Sequence, residues 1–548
     1  MRRLNERLII LLRIIHIYEG IQNEKKNVLW FLIDDLRPQF GRAYGQSETY
    51  TPNLDKLAVE SVVFKKAYCQ LTVCSPSRNS FLTGRRPDSI RVYNFVDHFR
   101  ITNEGRDSIA LPQYFKNNGY YVIGGGKTYQ PGKPPDYDGL KSWSEPPLPL
   151  TKNLTRCHHV HPRSKRILDV CPEMLARRDF MDERTADHSE NAIRRAVASS
   201  QPFFVVAGFY RPHLRWHVPQ SYYDLYNNNK ISVAQNSRFK PHGMPDIAWT
   251  SEGCHTLTTL EYGTHQIEMN QPLSLNIAAE LRKGYYACVS FIDHLVGRLL
   301  TVVNSFQGLR KNTIILVSSD HGFHLGEQAS WTKHTLFEHS ARVPLMIRFP
   351  HLLPPRIIYH PVELVDIYRT LADLAGLPQP PDHIQGRSLR RTALYNTPIR
   401  NFSLTQYPRC PKSWDRLWDS NCKRITAKQI PIMGYSLRVN GFRFTEWYQW
   451  RDNSIHHSML SLHSSSDTPA KIIATELYQF DETQIDDADA YERQNLAHIA
   501  EAQCSVINFR HALRLLITTC QHSPPQELIP PCELEVSRYI ANAQICMI

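Results

Sequence analysis

The 548-residue sequence contains no internal repeats, no low-complexity tracts and none of the usual nucleic-acid-binding motifs. It also has no apolar stretch that is long and uncharged enough to predict a transmembrane helix, so we do not expect stable membrane insertion. With 42% hydrophobic and 21% charged residues, the composition excludes a disordered or fibrous protein. The length accommodates one large domain and a smaller one.

Acidic residues are outnumbered by basic ones, and the net charge is +12. Such a balance favours a polyanionic partner, for example nucleic acid, an anionic membrane surface or an acidic glycan. Because the sequence carries no nucleic-acid motif, we expect no nucleic-acid partner. A diffusely basic surface without a specific partner is an equally good interpretation, so the charge alone does not select a function.

The N-terminus combines Met1-Arg2-Arg3 with a short apolar run over residues 8–12, and it resembles a signal peptide. We therefore predict a signal segment over residues 1–25 and a lysosomal or secreted location. Arg13 interrupts the apolar core, and no clean small-residue cleavage site follows. A weak signal peptide and an incorrectly assigned first exon are the two alternatives.

Twelve cysteines permit disulfides if the chain is exported. Two pairs are close in sequence and lie in loop-like stretches rich in proline and arginine, where a bridge could replace missing core: Cys157/Cys171 and Cys410/Cys422. Asn153 and Asn401 begin glycosylation sequons, which are used only in the secretory pathway, although two sequons in a chain of this length could be accidental.

From about residue 27, buried apolar runs alternate with helical periodicity, which predicts an α/β domain with a largely parallel sheet. Strands are predicted at 28–33, 120–123, 203–207 and 313–317, and helices at 276–303 and 362–375. Beyond a linker-like stretch at 377–400, alternating residues around Asn440-Gly441 predict a hairpin of a small antiparallel sheet. We therefore divide the chain into a catalytic domain at 26–400, a smaller subdomain at 401–510 and a C-terminal tail at 511–548.

Polar side chains follow several predicted strands, either directly or after a few residues. These side chains are Asp34, Asp35, Lys127, His213, Asp320 and His321. In open α/β sheets the ligand crevice lies outside the carboxyl ends of the strands, so one crevice could collect them all. Three carboxylates brought together would repel one another unless a divalent cation neutralises them, and oxygen ligands suit Ca²⁺ or Mg²⁺. A strand-end turn is the alternative for an isolated Asp-Asp pair.

The segment Cys74-Ser75-Pro76-Ser77-Arg78 resembles the sequence at which sulfatases have a cysteine oxidised to formylglycine. An ordinary buried cysteine before a helix is the alternative for this motif alone. Further segments, however, also resemble the sulfatase family. They include Asn27–Asp35, Thr51–Asp55, Leu82–Pro87, Ser319–Gly322, Trp331–Lys333, Arg342–Leu345, Met433–Arg438 and Glu476–Tyr478. The resemblance covers roughly residues 27–496, and it is strongest to the branch that acts on iduronate 2-sulfate.

This resemblance implies an alkaline-phosphatase-like fold, in which a large mixed, mostly parallel sheet lies between helices and a small antiparallel subdomain follows. It implies one Ca²⁺ per chain, and the matching ligands are Asp34, Asp35, Asp320 and His321, with position 74 completing the shell. It further implies that a formylglycine-generating enzyme converts Cys74 and that Arg78 holds the product. Lys127, His213 and Lys333 match residues that bind the sulfate and protonate the leaving alcohol.

The activity implied by the resemblance is removal of the 2-sulfate from terminal iduronate in heparan or dermatan sulfate, sulfated glycosaminoglycans. One hydroxyl of the hydrated aldehyde attacks sulfur, and loss of a proton from the other then expels sulfate. The family pattern Gly-Lys-Val-Phe-His-Pro-Gly is altered here, because Gln130 stands at the histidine position. The alternatives are therefore a catalytically impaired protein that binds sulfated glycans and a formylglycine phosphodiesterase or phosphonate hydrolase.

Overall fold

A computed structural model describes residues 25–45, 48–151, 157, 159–233, 238–450, 471–487, 491–520 and 531–547. The predicted signal segment, apart from Lys25, and the sequon residue Asn153 lie outside these ranges. The strands are β1 (Asn27–Ile33), β2 (Val62–Tyr68), β3 (Tyr121–Gly126), β4 (Val170–Glu173), β5 (Phe203–Phe209), β6 (Trp216–Pro219), β7 (Thr256–Thr259), β8 (Gly263–Gln266), β9 (Thr313–Ser319), β10 (Arg342–Arg348), β11 (Arg356–Ile358), β12 (Val362–Glu363), β13 (Phe402–Arg409), β14 (Ile432–Val439), β15 (Phe442–Gln449) and β16 (Ile472–Gln479).

The α-helices vary from one turn to eight turns or more in length. They span Pro52–Val59, Cys74–Thr83, Pro87–Ile90, Leu111–Asn117, Gly139–Ser142, Met181–Ala198, Gln220–Tyr223, Leu275–Ser305, Leu309–Asn312, Glu338–Ala341, Asp366–Leu374, Arg390–Tyr395, Gln503–Thr518 and Pro531–Ile545.

The main sheet has eight strands in the order β11-β2-β10-β9-β1-β5-β3, and β12 also pairs with β2. All of its pairs are parallel except those that involve β10, which runs antiparallel to both β2 and β9. The predicted mixed, mostly parallel sheet is therefore confirmed. Because β1 lies between β5 and β9, it is buried on both faces, as its continuous apolar run indicates.

Helices cover both faces of this sheet. Leu29, Phe31 and Ile33 of β1 pack on one side with the long helix Leu275–Ser305. Alternate residues of the same strand pack on the other side with the helices Cys74–Thr83 and Asp366–Leu374. By length and composition, Leu275–Ser305 is the one helix among the described residues that could cross a membrane, but 72% of its most apolar window is buried inside the protein.

One predicted helix begins later than expected. Residues 362–375 carry helical periodicity, but Val362–Glu363 forms the short strand β12 beside β2, and the helix spans Asp366–Leu374. The side chain of Asp366 also accepts a hydrogen bond from the Glu363 amide at 2.9 Å. Backbone pairing with a neighbouring strand therefore takes precedence over the local periodicity. The linker-like stretch at 377–400 is also packed, since Ile384 and Leu389 are fully buried.

The smaller subdomain is a four-stranded antiparallel sheet in the order β13-β14-β15-β16. Its central hairpin turns at Asn440-Gly441, as predicted, and Gly441 has a φ of +80° that favours glycine. The helices Gln503–Thr518 and Pro531–Ile545 pack on this sheet in one hydrophobic cluster. The first of these helices crosses the predicted boundary at residue 510, so part of the predicted tail belongs to the subdomain core.

Both predicted disulfides are present, between Cys157 and Cys171 and between Cys410 and Cys422. A third disulfide, which was not predicted from the sequence, joins Cys504 to Cys546 and links the two C-terminal helices. The sequon residue Asn401 is partly buried just before β13, and its Oδ1 accepts a hydrogen bond from Ser537 Oγ at 3.1 Å. Glycosylation at Asn401 stays a prediction.

Candidate active site

The predicted polar side chains meet at the carboxyl edge of the main sheet. Strands β9, β1 and β5 are parallel neighbours in which Ile33 is in register with Ser319 on one side and Phe209 on the other. Asp34-Asp35 and Asp320-His321 therefore leave adjacent strands at the same level. Topology thus brings together the residues that end separate strands along the chain.

Cys74 is the first residue of the helix Cys74–Thr83 and lies buried in the middle of this group. Its Sγ is 3.2 Å from His321 Nε2 and 3.4 Å from Lys127 Nζ. Burial, reinforced by the charge of Asp34, raises the pKa of the Cys74 thiol to about 12. An unmodified Cys74 would therefore be protonated and a poor nucleophile at physiological pH.

Arg78 lies one helical turn after Cys74 and holds two carboxylates. Its Nε donates to Asp320 Oδ2 at 3.0 Å and its Nη2 donates to Asp34 Oδ1 at 2.9 Å. The guanidinium also donates to the backbone carbonyls of Lys127 and Thr128. Although burial opposes it, the charges of Asp320 and Asp34 raise the Arg78 pKa, so the arginine remains charged.

Two lysines from other elements pair with the neighbouring carboxylates Asp34 and Asp35. Lys127, directly after β3, forms an ion pair with Asp34. Lys333, in the loop between β9 and β10, places its Nζ 2.6 Å from one carboxylate oxygen of Asp35 and 2.9 Å from the other. Against the effect of burial, Asp34 raises the Lys127 pKa and Asp35 raises the Lys333 pKa. Both amines are therefore cationic beside residue 74.

The pKa values of the two neighbouring aspartates, Asp34 and Asp35, are shifted in opposite directions. Burial would raise the pKa of Asp34, but Lys127 and Arg78 together hold it well below its usual range. Burial raises the pKa of Asp35, and the nearby charge of Asp34 adds to this increase while Lys333 opposes it. Asp35 also has a positive φ of 61°. A divalent cation would relieve the repulsion that Asp35 experiences.

The donor atoms of this group fit a hard divalent cation. One ligand atom each from Asp34, Cys74, Asp320 and His321 lie within 4.8 Å of one another. His321 Nδ1 donates to the Gly322 carbonyl at 2.9 Å, so its Nε2 carries the lone pair that faces the carboxylates. Carboxylate oxygens of Asp34, Asp35 and Asp320 dominate the set, which suits Ca²⁺ or Mg²⁺.

His213 follows β5 and lines the same cavity as Lys333. Its Nδ1 donates to the Leu214 carbonyl at 2.5 Å, so in the neutral ring Nε2 carries the lone pair. Burial lowers the pKa of His213, and Lys333 and Lys127 lower it further. His213 is therefore neutral in the free protein, and it would gain a proton more readily beside a bound anion.

A cavity of about 270 Å³ opens onto this group and is lined by Cys74, Lys127, His213 and Lys333. Gln130 lines it too, and its buried Oε1 has no hydrogen-bond partner within the described part of the chain. Several other lining residues were not predicted from the sequence; they include Phe95, Tyr210, Gly253, His334 and Lys423. His334 directly follows Lys333, and this adjacency was the one available signal.

Comparisons with known proteins agree with the geometry. The family model described as Sulfatase matches residues 26–377. The chain is 31% identical over 527 residues to iduronate 2-sulfatase of Mus musculus, covering 85% of this chain and 90% of the relative. It is 30% identical over 395 residues to a sulfatase of Formosa agariphila, covering 70% of this chain and 76% of the relative.

Solved structures share the fold at lower identity. A phosphonate monoester hydrolase of Agrobacterium radiobacter superposes with a TM-score of 0.68 at 18% identity, covering 91% of this chain and 96% of that one. A 2-O GAG sulfatase superposes with a TM-score of 0.63 at 19% identity, covering 93% and 96%. The family model covers more than half of the chain, two relatives are at least 30% identical to it, and the fold is alkaline-phosphatase-like. The chain belongs to the sulfatase family and is a sulfuric ester hydrolase.

Proposed function

We propose that this protein is an exo-sulfatase that removes the 2-sulfate from terminal iduronate in heparan or dermatan sulfate, with formylglycine at position 74. The observation that carries the proposal is the cavity in which residue 74 is flanked by Lys127, Lys333 and His213. Similarity to iduronate 2-sulfatases over most of the chain supports the substrate. The net charge of +12 is compatible with a sulfated glycosaminoglycan.

The metal in this proposal is one Ca²⁺ per chain. Asp34, Asp35, Asp320 and His321, together with position 74, would hold it, because their donor atoms are oxygen-rich and converge. The ion would supply positive charge that polarises the sulfate ester and stabilises negative charge on its oxygens. Arg78 would keep Asp34 and Asp320 oriented toward the ion.

The chain's own cations bind and orient the ester in this proposal. Lys127 and Lys333 both line the cavity that contains residue 74, so both can face sulfate oxygens and the oxygen of the leaving alcohol. His213 lines the cavity and has its lone pair on Nε2, so the negative charge of a bound sulfate would favour its protonation. It could then donate that proton to the departing alcohol. Formylglycine would supply the attacking hydroxyl as a hydrated aldehyde.

Gln130 distinguishes this chain from the family pattern. We expect it to slow sulfate release, because an amide can hydrogen-bond to a hydroxyl but cannot accept its proton. Stopped-flow measurement with an aryl sulfate should show a burst of alcohol followed by a slow phase. The Gln130→His variant should abolish the burst and raise the steady-state rate, on the order of 10- to 100-fold. Linear turnover in the wild type at the rate of the variant would contradict the prediction.

A panel of three substrates separates the proposal from its alternatives. It consists of an aryl sulfate, an aryl phosphate diester and a heparin-derived disaccharide with a 2-sulfated terminal uronate. We expect turnover of both sulfates and the highest kcat/KM for the disaccharide. Preference for the diester would instead favour a phosphodiesterase, a class suggested by the fold shared with phosphonate monoester hydrolases. Glycan binding without any turnover would favour the impaired protein that Gln130 suggests.

Maturation in this proposal takes place in the secretory pathway. A formylglycine-generating enzyme would act on Cys74 before folding, since this residue is 2% exposed in the folded chain. The disulfides Cys157–Cys171 and Cys410–Cys422 suit an oxidising compartment. A lysosomal or secreted location is therefore consistent with the bridges and the predicted signal segment. Detection of the protein in culture medium or lysosomal fractions of expressing cells tests it.

A further inference from the structure

A second imidazole faces the active-site cavity from the junction with the smaller subdomain. His334 lines the cavity beside Gly253 and Lys423. Its Nδ1 is hydrogen-bonded to the hydroxyl of Tyr407, a residue of β13. Its Nε2 makes no hydrogen bond to any residue that the structure describes, and this atom is not completely buried. This nitrogen is therefore accessible from the cavity.

Tyr407 and Glu252 hold the ring in one orientation. The Tyr407 hydroxyl donates to Glu252 Oε2 at 3.4 Å, and the Tyr407 ring packs edge-on against His334 with centroids 5.7 Å apart. Glu252 itself accepts a hydrogen bond from the Cys422 amide at 3.2 Å. Because Tyr407 gives its proton to Glu252, it accepts the Nδ1 proton of His334. The lone pair is therefore on Nε2.

Gly253 keeps this lone pair uncovered. It has a φ of +81°, and a Cβ at this position would lie 2.8 Å from His334 Nε2. Any side chain would therefore collide with the imidazole and close this side of the cavity. In this loop, Glu252 thus helps to fix the orientation of the His334 ring through Tyr407, and Gly253 leaves the Nε2 atom of that ring uncovered.

The imidazole is a neutral acceptor beside several cations. Burial lowers the pKa of His334, and the nearby charges of Lys333 and Lys423 lower it further. Lys127 and Lys333 already provide cationic groups for an anion, whereas a neutral lone pair would repel one. A hydroxyl is the complementary group, because it can donate a hydrogen bond to Nε2.

We propose that His334 Nε2 accepts a hydrogen bond from a hydroxyl of the sugar that carries the sulfate ester, with Tyr407 and Glu252 as positioning residues. The inference rests on the proposed function, since it requires a sulfated sugar in the cavity. It assigns a role in substrate specificity to His334, which is neither a proposed Ca²⁺ ligand nor one of the residues proposed to bind the sulfate. It also gives the smaller subdomain a part in substrate choice, because Tyr407 belongs to its first strand.

The test compares an aryl sulfate, which has no sugar hydroxyl, with the 2-sulfated uronate disaccharide. We expect His334→Phe to reduce kcat/KM for the disaccharide about 10- to 100-fold more than for the aryl sulfate, because a polar substrate group is left unpaired. His334→Gln should recover part of the difference, since its amide oxygen can accept the same hydrogen bond. Tyr407→Phe should raise KM for the disaccharide more than it lowers kcat.

His255→Phe is the matched control, because His255 is an exposed histidine two residues from Gly253 that does not line the cavity. It should leave the ratio of the two kcat/KM values unchanged. The same variants in a Cys74→Ala background give dissociation constants without turnover, so failure of the proposed activity is distinguishable from failure of this inference. Equal losses on both ligands, or no loss with His334→Phe, would overturn the role of His334.

Discussion

Replacing Cys74 by alanine is expected to abolish sulfate ester hydrolysis while the protein remains folded. Residue 74 is 2% exposed at the start of a helix, and alanine fits this position without a new polar group or a larger side chain. The variant cannot form the aldehyde, and we expect kcat/KM for an aryl sulfate to fall by more than about 1000-fold. Lys127, Lys333 and His213 cannot replace a missing nucleophile.

Kinetics and thermal unfolding of this variant should be measured together. Cys288→Ala is the matched control, because Cys288 is an equally buried free cysteine within the long core helix and away from the cavity. It should retain activity. Mass spectrometry of the wild-type peptide 66–85 should show an aldehyde at position 74. Substantial activity of Cys74→Ala, or a quantitatively unmodified thiol in active wild type, would refute the role of residue 74.

Replacing Arg78 by methionine is expected to destabilise the fold and remove activity together. The guanidinium pairs with Asp34 and Asp320, and all three side chains are fully buried. Without it, two carboxylates lose their partner in a medium that solvates them poorly, which costs about 3–5 kcal/mol of the free energy of unfolding. Denaturant titration measures this loss. The exposed pair Arg194–Glu190 is the control, and Arg194→Met should cost about 0.5 kcal/mol or less.

The loss of unfolding free energy in Arg78→Met should be larger at neutral pH than in acid. In the wild type, Lys127 and Arg78 hold the pKa of Asp34 below its unfolded value, so this carboxylate stabilises the fold above that value. The contribution is lost as the pH falls through the folded pKa. The stability difference between wild type and variant should therefore be largest near neutral pH and shrink in acid. A difference that grows in acid would contradict the ion-pair explanation.

Much of the fold could be predicted because individual strands, turns and helices have characteristic local sequence patterns. Strand β1 is a continuous apolar run, as a strand between two parallel neighbours requires. The hairpin at Asn440-Gly441 has a turn residue that tolerates positive φ between two alternating strands. The long helix Leu275–Ser305 carries apolar residues at helical spacing, from Ala279 through Tyr285 and Ile292 to Leu299, and all of these are buried. In each case, local chemistry and tertiary packing favour the same structure.

Other features depend on partners that are distant in sequence. The antiparallel strand β10 is central in the sheet only because β2 and β9 lie on either side of it. Likewise, β12 is a strand rather than a helical turn because β2 offers it backbone partners. His334 gave no signal beyond its position after Lys333, since its orientation comes from Tyr407 and Glu252. Periodicity contains no information about such partners.

The residue types along the chain indicate which chemistry is available: a cysteine that can be oxidised, carboxylates and histidines for a cation, and lysines for an anion. They can be recognised because they follow predicted strands or belong to a short motif, and both features are visible in the sequence without the tertiary structure. Which of their atoms face one another, in contrast, depends on how the chain folds. Arg78 links Asp34 with Asp320, and Gly253 leaves His334 uncovered, because packing of remote elements sets these distances.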